Sequence, residues 1–194
     1  MDWQAIHEFD QQISLIINSW HSPLSDSIMI FFSLVKIWFP MYLAFLVFLY
    51  FRMDWKRATI VSISLILMVV FCDQFANLIK ESVGRLRPSH DPFMLENGLN
   101  LLEGKANKFG FFSAHAANSF GFAICSTLGI KNDKRLRYRG WSYPIFFWAF
   151  MVSISRIFVG KHYLGDVIVG ALVGLIIGTL LALMARALIK ITHR

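Results

Sequence analysis

Val167-Ile-Val-Gly-Ala-Leu-Val-Gly-Leu-Ile-Ile-Gly-Thr-Leu-Leu-Ala-Leu-Met-Ala185 runs for 19 residues without a charged side chain. At a rise of about 1.5 Å per residue, a helix of this length nearly crosses the ~30 Å hydrocarbon core of a bilayer. Gly170, Gly174, Gly178 and Ala182 recur at four-residue intervals within it. Small side chains at that spacing let a second helix approach closely. His162 and Asp166 continue the series at the start of the run. Each step of four turns about 40° past a full circle, so the stripe drifts while neighbours stay adjacent. The polar pair is therefore predicted to face a packed interior and not lipid.

Similar segments precede this one. Ser27 to Phe51 is apolar except for Lys36, with Pro40 inside, and reads as a first span. Lys36 either snorkels to the interface or faces the bundle. Ala58 to about Lys80 reads as a second span with Asp73 and Asn77 in its last turns, and Phe111 to Ile130 as a third. Trp141 to Phe158 reads as a fourth, with Pro144 in its tolerant first turn. Ile6, Phe9, Ile13, Ile16, Ile17 and Trp20 repeat at the spacing of an amphipathic helix lying in the interface, which Ser22-Pro23 ends. The expected fold is all-α: a polytopic membrane helix bundle of about five spans with an N-terminal amphipathic interfacial helix. It forms a single domain over residues 1–194, with the interfacial helix in 1–22 and an outer loop at 83–110.

Composition agrees. Of 194 residues, 56% are hydrophobic and only 16% charged, and the mean hydropathy is +0.55. Soluble domains carry about 25% charged residues. An ordinary soluble domain, a disordered chain and a disulfide scaffold are thereby disfavoured. The net charge of +7 would suit nucleic acid, but the apolar content argues for membrane lipid as the partner and against nucleic acid. Cys72 and Cys125 sit in apolar stretches as packing residues, and no CxxC or His-rich metal spacing occurs. Met1-Asp2 opens without a basic region, so no cleavable leader is expected.

Charge gives orientation. With five spans, one side receives the loops 52–57 and 131–139 and the C-terminal tail. It holds 11 basic residues against Asp54 and Asp133. The other side holds seven, namely Lys80, Arg85, Arg87, Lys105, Lys108, Arg156 and Lys161, with nine acids. The positive-inside rule puts the first side in the cytoplasm. The N-terminus and the long loop then lie outside, facing the periplasm in a Gram-negative cell, and the membrane is the bacterial inner membrane.

The outer ends of spans two to five gather the chain's reactive side chains. Lys80 and Arg87 follow span two, Ser113 and His115 open span three, and Arg156, His162 and Asp166 lie across the turn between spans four and five. Arg87 and Arg156 offer planar forks for phosphate oxygens, and Lys80 adds a compact charge. Ser113 sits at a helix start, where free N–H groups favour an anion. Asp166, one turn from His162, can hold one imidazole nitrogen protonated and leave the other free to attack. His115 is placed to donate a proton to a leaving oxygen. Arg85, Lys105, Lys108 and Lys161 read as solvated or headgroup charges.

These residues resemble the signature of the type 2 phosphatidic acid phosphatase family, K-x6-RP, PSGH and SR-x5-H-x3-D. Lys80-x6-Arg87-Pro88 and Ser155-Arg156-x5-His162-x3-Asp166 match fully. Phe112-Ser113-Ala114-His115 keeps Ser and His but replaces Pro and Gly. The resemblance covers roughly residues 58–185. It implies that His162 is the nucleophile forming a phosphohistidine, that Asp166 orients it, and that His115 protonates the leaving group. Lys80, Arg87, Ser113, Arg156 and the Ala114 N–H would bind the phosphoryl oxygens. No metal and no cofactor are implied.

A site at the membrane face suits a lipid-borne phosphate. Undecaprenyl diphosphate is placed slightly ahead of lipid A, and phosphatidylglycerol phosphate is a further alternative. A non-catalytic phosphate or headgroup binder would use the same cations but needs no nucleophile.

Overall fold

A computed structural model describes residues 2–133 and 136–192, and eight α-helices follow one another in it. They are α1 (Trp3–Asn18), α2 (Pro23–Ser33), α3 (Val35–Arg52), α4 (Trp55–Val83), α5 (Pro92–Glu96), α6 (Ala114–Lys131), α7 (Tyr138–Phe158) and α8 (Leu164–Thr192). A 3-10 turn at Pro88–His90 precedes α5. Lys134, Arg135 and Arg194, three of the 11 basic residues assigned to the cytoplasmic side from sequence, lie outside the described residues.

The glycine stripe sets how the bundle closes. A Cβ on Gly174 would stand 2.1 Å from the Ala117 carbonyl oxygen, and one on Gly178 would stand 2.6 Å from that of Gly121. Backbones of α6 and α8 therefore touch without side chains between them, as small-residue stripes allow. Helix α6 also packs on α4 and α7. Eleven of its residues, from Ala116 to Ile130, are buried.

Among the described residues three helices, α3, α4 and α8, are long and apolar enough to cross a membrane on their own. Helices α6 and α7, read from sequence as two further spans, carry more polar side chains. The physical reason is position: α6 faces protein on several sides, so it needs less apolar surface than a helix wrapped in lipid.

Two boundaries differ from expectation. The apolar run 27–51 is not one helix. It breaks at Leu34, whose backbone is extended (φ −80°, ψ 102°), between α2 and α3. The break frees carbonyls that find side-chain donors: Trp38 Nε1 donates to Phe32 O at 3.2 Å, and Arg156 Nη1 reaches Ser33 O at 3.4 Å and also Ser33 Oγ. Helix α7 begins at Tyr138, so Pro144 lies in its second turn and not its first.

Helix α1 is amphipathic, as expected, but the informative face is the polar one. Asp10, Gln11, Ser14 and Asn18 are buried, while Trp3, Ile6, Phe9, Ile16 and Trp20 are exposed. The apolar face points away from the protein, as an interfacial helix requires. The polar stripe closes over the ends of α7 and α8. Ser14 Oγ accepts from Leu164 N at 2.9 Å and Asp10 Oδ1 from Gly165 N at 2.9 Å, capping α8. Asn18 Nδ2 donates to Phe158 O at 2.7 Å.

Candidate active site

The C-terminal ends of α4 and α7 and the N-terminal ends of α6 and α8 meet at one end of the bundle. Lys80 lies in the last turn of α4 and Arg156 in that of α7, while Ser113 caps α6. The N-terminus of α6 thus points at the place where three cations converge, which favours an anion, whereas the first N–H groups of α8 are taken up by Ser14 and Asp10. The ends are tied directly, since Ser113 N donates to Asp166 O at 3.0 Å. Ser113 N is consequently engaged. The N–H groups of Ala114 and His115, first in the helix, have no intrahelical acceptor.

The outer loop is closed at its base by an antiparallel bridge between Leu86 and Phe109, with Arg87 N donating to Lys108 O and Gly110 N to Arg85 O, both at 3.0 Å. In an extended segment alternate residues share a face, so Arg85 and Arg87 point the same way. Arg87 Nε donates to Phe109 O at 3.0 Å, and Arg87 Nη1 stands 3.3 Å from His162 Nε2. Gly110 is needed beside it, because a Cβ there would lie 2.6 Å from Arg87 Cγ.

His162 is only 2% exposed. Its Nδ1 faces Asp166 Oδ2 at 3.3 Å. The surrounding bonds fit one tautomer: Nδ1–H donates to the carboxylate, and the Nε2 lone pair faces Arg87. Burial, then Arg87 and Arg156, hold the His162 imidazole well below its usual pKa. This favours the neutral ring, the form able to attack an electrophile.

Asp166 is fully buried. Oδ2 also accepts from Tyr163 N at 3.2 Å, and Oδ1 accepts from Arg85 Nη1 at 2.7 Å. Arg85, read from sequence as a headgroup anchor, is thus built into the site. Its Nη2 donates to Asp10 Oδ2 at 2.7 Å, and its guanidinium stacks over the Tyr163 ring at 4.2 Å. Burial opposes its charge, but Asp166 and Asp10 outweigh that and raise its pKa. Tyr163 in turn donates to Asp91, which also accepts from Gln11 Nε2 at 2.7 Å.

Arg156 is 5% exposed and shared between Ser33 and Glu103 Oε2, the latter at 3.7 Å. Its Nε is buried and has no hydrogen-bond partner among the described residues. Lys161 is also buried, 4.0 Å from Glu103 Oε2, so it is no solvated charge either. Lys105 and Lys108 are exposed, as read. Lys80 Nζ lies 3.5 Å from Asn77 Oδ1. His115 stands in the field of Arg156, His162, Arg87 and Lys80. It also lines a groove that opens between α3 and α4. The structure thus sets Arg87 and Asp166 against His162 and ties Ser113 N to Asp166 O, with Lys80, His115 and Arg156 within electrostatic reach. It adds Arg85, Asp10, Tyr163, Lys161 and Glu103.

The alternation of Arg85 and Arg87 before Pro88 was a usable signal, since the residue before proline is extended. The i, i+4 repeat of Asp10, Ser14 and Asn18 was another.

Comparison with known proteins gives the same answer as the geometry. The PAP2 superfamily model matches residues 61–190. A lipid A 4'-phosphatase of Bacteroides thetaiotaomicron is 36% identical over 173 residues, covering 88% of this chain and 74% of that protein. A lipid A 4'-phosphatase of Porphyromonas gingivalis is 30% identical over 176 residues, covering 90% and 72%. The crystal structure of a transmembrane PAP2-type phosphatidylglycerolphosphate phosphatase from Bacillus subtilis superposes with a TM-score of 0.73 at 18% identity, over 91% of this chain and 84% of that one. The helical bundle, the ordered motifs and these matches lead to one conclusion: the chain belongs to the PAP2 superfamily and is a membrane-embedded lipid phosphatase, a hydrolase of phosphoric esters.

Proposed function

We propose that this phosphatase removes a phosphate monoester, the 4'-phosphate, from a lipid A-type glycolipid through a phosphohistidine at His162. The observation that carries the chemistry is the placement of His162 Nε2 beside Arg87 Nη1, with Nδ1 held by Asp166. A phosphoryl group bound by Arg87, Arg156 and Lys80, with its oxygens on the Ala114 and His115 N–H groups, meets the Nε2 lone pair. The N–P bond forms as the bond from phosphorus to the sugar oxygen breaks, and His115 gives that oxygen a proton. Water then attacks phosphorus, His115 takes its proton, and the P–N bond breaks to release inorganic phosphate. Fixed cations and the N-terminus of α6 stabilise charge on the transferring group.

Sequence alone ranked undecaprenyl diphosphate slightly ahead of lipid A. Two relatives described as lipid A 4'-phosphatases, each covered over more than two thirds of its length, support the reverse order. The charge distribution supports a site on the outer, periplasmic side of the inner membrane.

Turnover of lipid A, undecaprenyl diphosphate, phosphatidylglycerol phosphate and phosphatidic acid by the purified protein tests this reading. Lipid A is expected to give the highest kcat/KM, with loss of its 4'-phosphate. A higher value for undecaprenyl diphosphate would reverse the assignment.

A further inference from the structure

At the end of the bundle away from His162, a groove of about 670 Å³ opens between the C-terminal half of α3 and the adjoining ends of α6 and α7. Met41 and Phe48 form part of its apolar wall, and Phe45 stacks on Trp141 along it at 4.5 Å. Phe48 is 38% exposed, so the groove is open to its surroundings. Arg52, the last residue of α3, and Arg137, the N-cap of α7, line the same groove, and both are exposed. Among the described residues neither guanidinium forms a salt bridge, and no carboxylate lines the groove.

From Met41 to Arg52 the α3 wall runs about 16 Å, close to the ~15 Å hydrocarbon depth of one leaflet. An apolar channel of that depth, ending between two arginines, matches a phospholipid in shape and charge. An acyl chain fits along Phe45 and Phe48, and a phosphate fits the two guanidinium forks. Basic pockets between spanning helices bind anionic headgroups in this way. The headgroup end is unobstructed, since a Cβ on Gly140 would meet nothing within 4 Å. With no carboxylate to receive an ammonium, a net-negative headgroup fits better than a zwitterionic one.

We infer that this groove holds an anionic phospholipid from the leaflet opposite the substrate's, as a bound ligand and not as a substrate. Its phosphodiester lies between Arg52 and Arg137, at the far end of the bundle from His162, so it is held and not cleaved. Bound there, the lipid bridges α3 and α7. Nearer its other end, α3 walls the groove that reaches His115, through Trp38 and Tyr42. The lipid therefore steadies a helix that borders the catalytic end. The site is independent of which lipid phosphate the enzyme hydrolyses.

Equilibrium binding of phosphatidylglycerol and phosphatidylcholine, with the same acyl chains, to the delipidated protein in detergent tests this. The wild type is expected to bind phosphatidylglycerol about tenfold more tightly or better. Each arginine is worth about fivefold toward an anionic headgroup, so Arg52→Gln with Arg137→Gln should weaken phosphatidylglycerol about 25-fold and phosphatidylcholine far less. Gly140→Leu keeps both charges but fills the groove and should weaken both lipids. It decides the matter if the double variant is not monodisperse. Lys56→Gln with Arg139→Gln removes two exposed charges from the same end but outside the groove, and should leave the preference intact. Equal binding of the two lipids by the wild type overturns the site. So does unchanged binding in the Arg52, Arg137 and Gly140 variants, or an equal loss in the Lys56 and Arg139 pair. Displacement of the lipid by an equal concentration of inorganic phosphate, or a dimer that closes the groove and excludes lipid, would also overturn it.

Discussion

Arg85 Nη1 lies 2.7 Å from Asp166 Oδ1, while the other oxygen of that carboxylate faces His162 Nδ1 at 3.3 Å. The guanidinium thus holds the group that holds the imidazole. Asp10 of α1 holds the guanidinium in turn, also at 2.7 Å. A relay of charged hydrogen bonds therefore runs from the interfacial helix to His162. Removing Arg85 leaves a buried carboxylate short of its strongest partner, which is the costly case for a buried pair.

Arg85→Leu is expected to lower kcat about 10–100-fold, the usual cost of losing an outer partner of a site residue. KM should move less, because Arg85 is already engaged by carboxylates. Asp10→Asn should lower kcat in the same direction by a smaller factor. Steady-state kinetics on one lipid phosphate separates the two constants. A change confined to KM would make Arg85 a substrate ligand and not a positioning residue.

The pH profile carries a definite sign. Burial, then Arg87 and Arg156, depress the His162 pKa, and in the proposed mechanism the neutral ring is the nucleophile. The acid limb of kcat/KM should therefore fall below the ordinary imidazole value of about 6.5. Arg87→Leu removes a neighbouring positive charge, so the limb of its residual activity should move to higher pH. A wild-type limb at or above 6.5 would contradict the assignment of that limb to His162.

The α6–α8 seam has no room for a methyl group. Gly174→Ala places a Cβ against the Ala117 carbonyl, a backbone atom that yields only if the helices part. The expected destabilisation is about 1–3 kcal/mol, read as a lower thermal midpoint in detergent. Gly140, with nothing within 4 Å of its Cβ position, is the control. Equal midpoints for Gly174→Ala and Gly140→Ala would show that the seam is looser than described.

Orientation is open to labelling. Asn97→Cys lies in the outer loop and Asn132→Cys at the opposite end of α6. The native Cys72 and Cys125 are buried and give a low background. In whole cells with a permeabilised outer membrane, an impermeant thiol reagent should modify the cysteine at 97. Modification at 132 instead would invert the proposed topology.

The bundle was largely legible because lipid imposes a simple rule: a lipid-facing helix must be apolar along its length, as Val167 to Ala185 is. The glycine stripe likewise announced its own seam. The break at Leu34 was not legible, since it depends on Arg156 and Trp38 supplying donors from distant points of the chain. The reactive residues were legible through spacing, as with His162 and Asp166 one turn apart. Arg85 and Lys161 were misread because a lone cation at a helix end looks the same whether its partner is water or a buried carboxylate. Only the closing of α1 over α8 supplied Asp10, and only the folded loop supplied Glu103.

The central claim is that His162, held by Asp166, takes the phosphoryl group from a lipid phosphate. Phosphate release from lipid A by purified wild type, His162→Ala and Asp166→Asn tests it most directly. Release is expected from the wild type, none above background from His162→Ala, and strongly reduced release from Asp166→Asn, with all three proteins equally folded in detergent. Release by His162→Ala and Asp166→Asn equal to that of the wild type would contradict it.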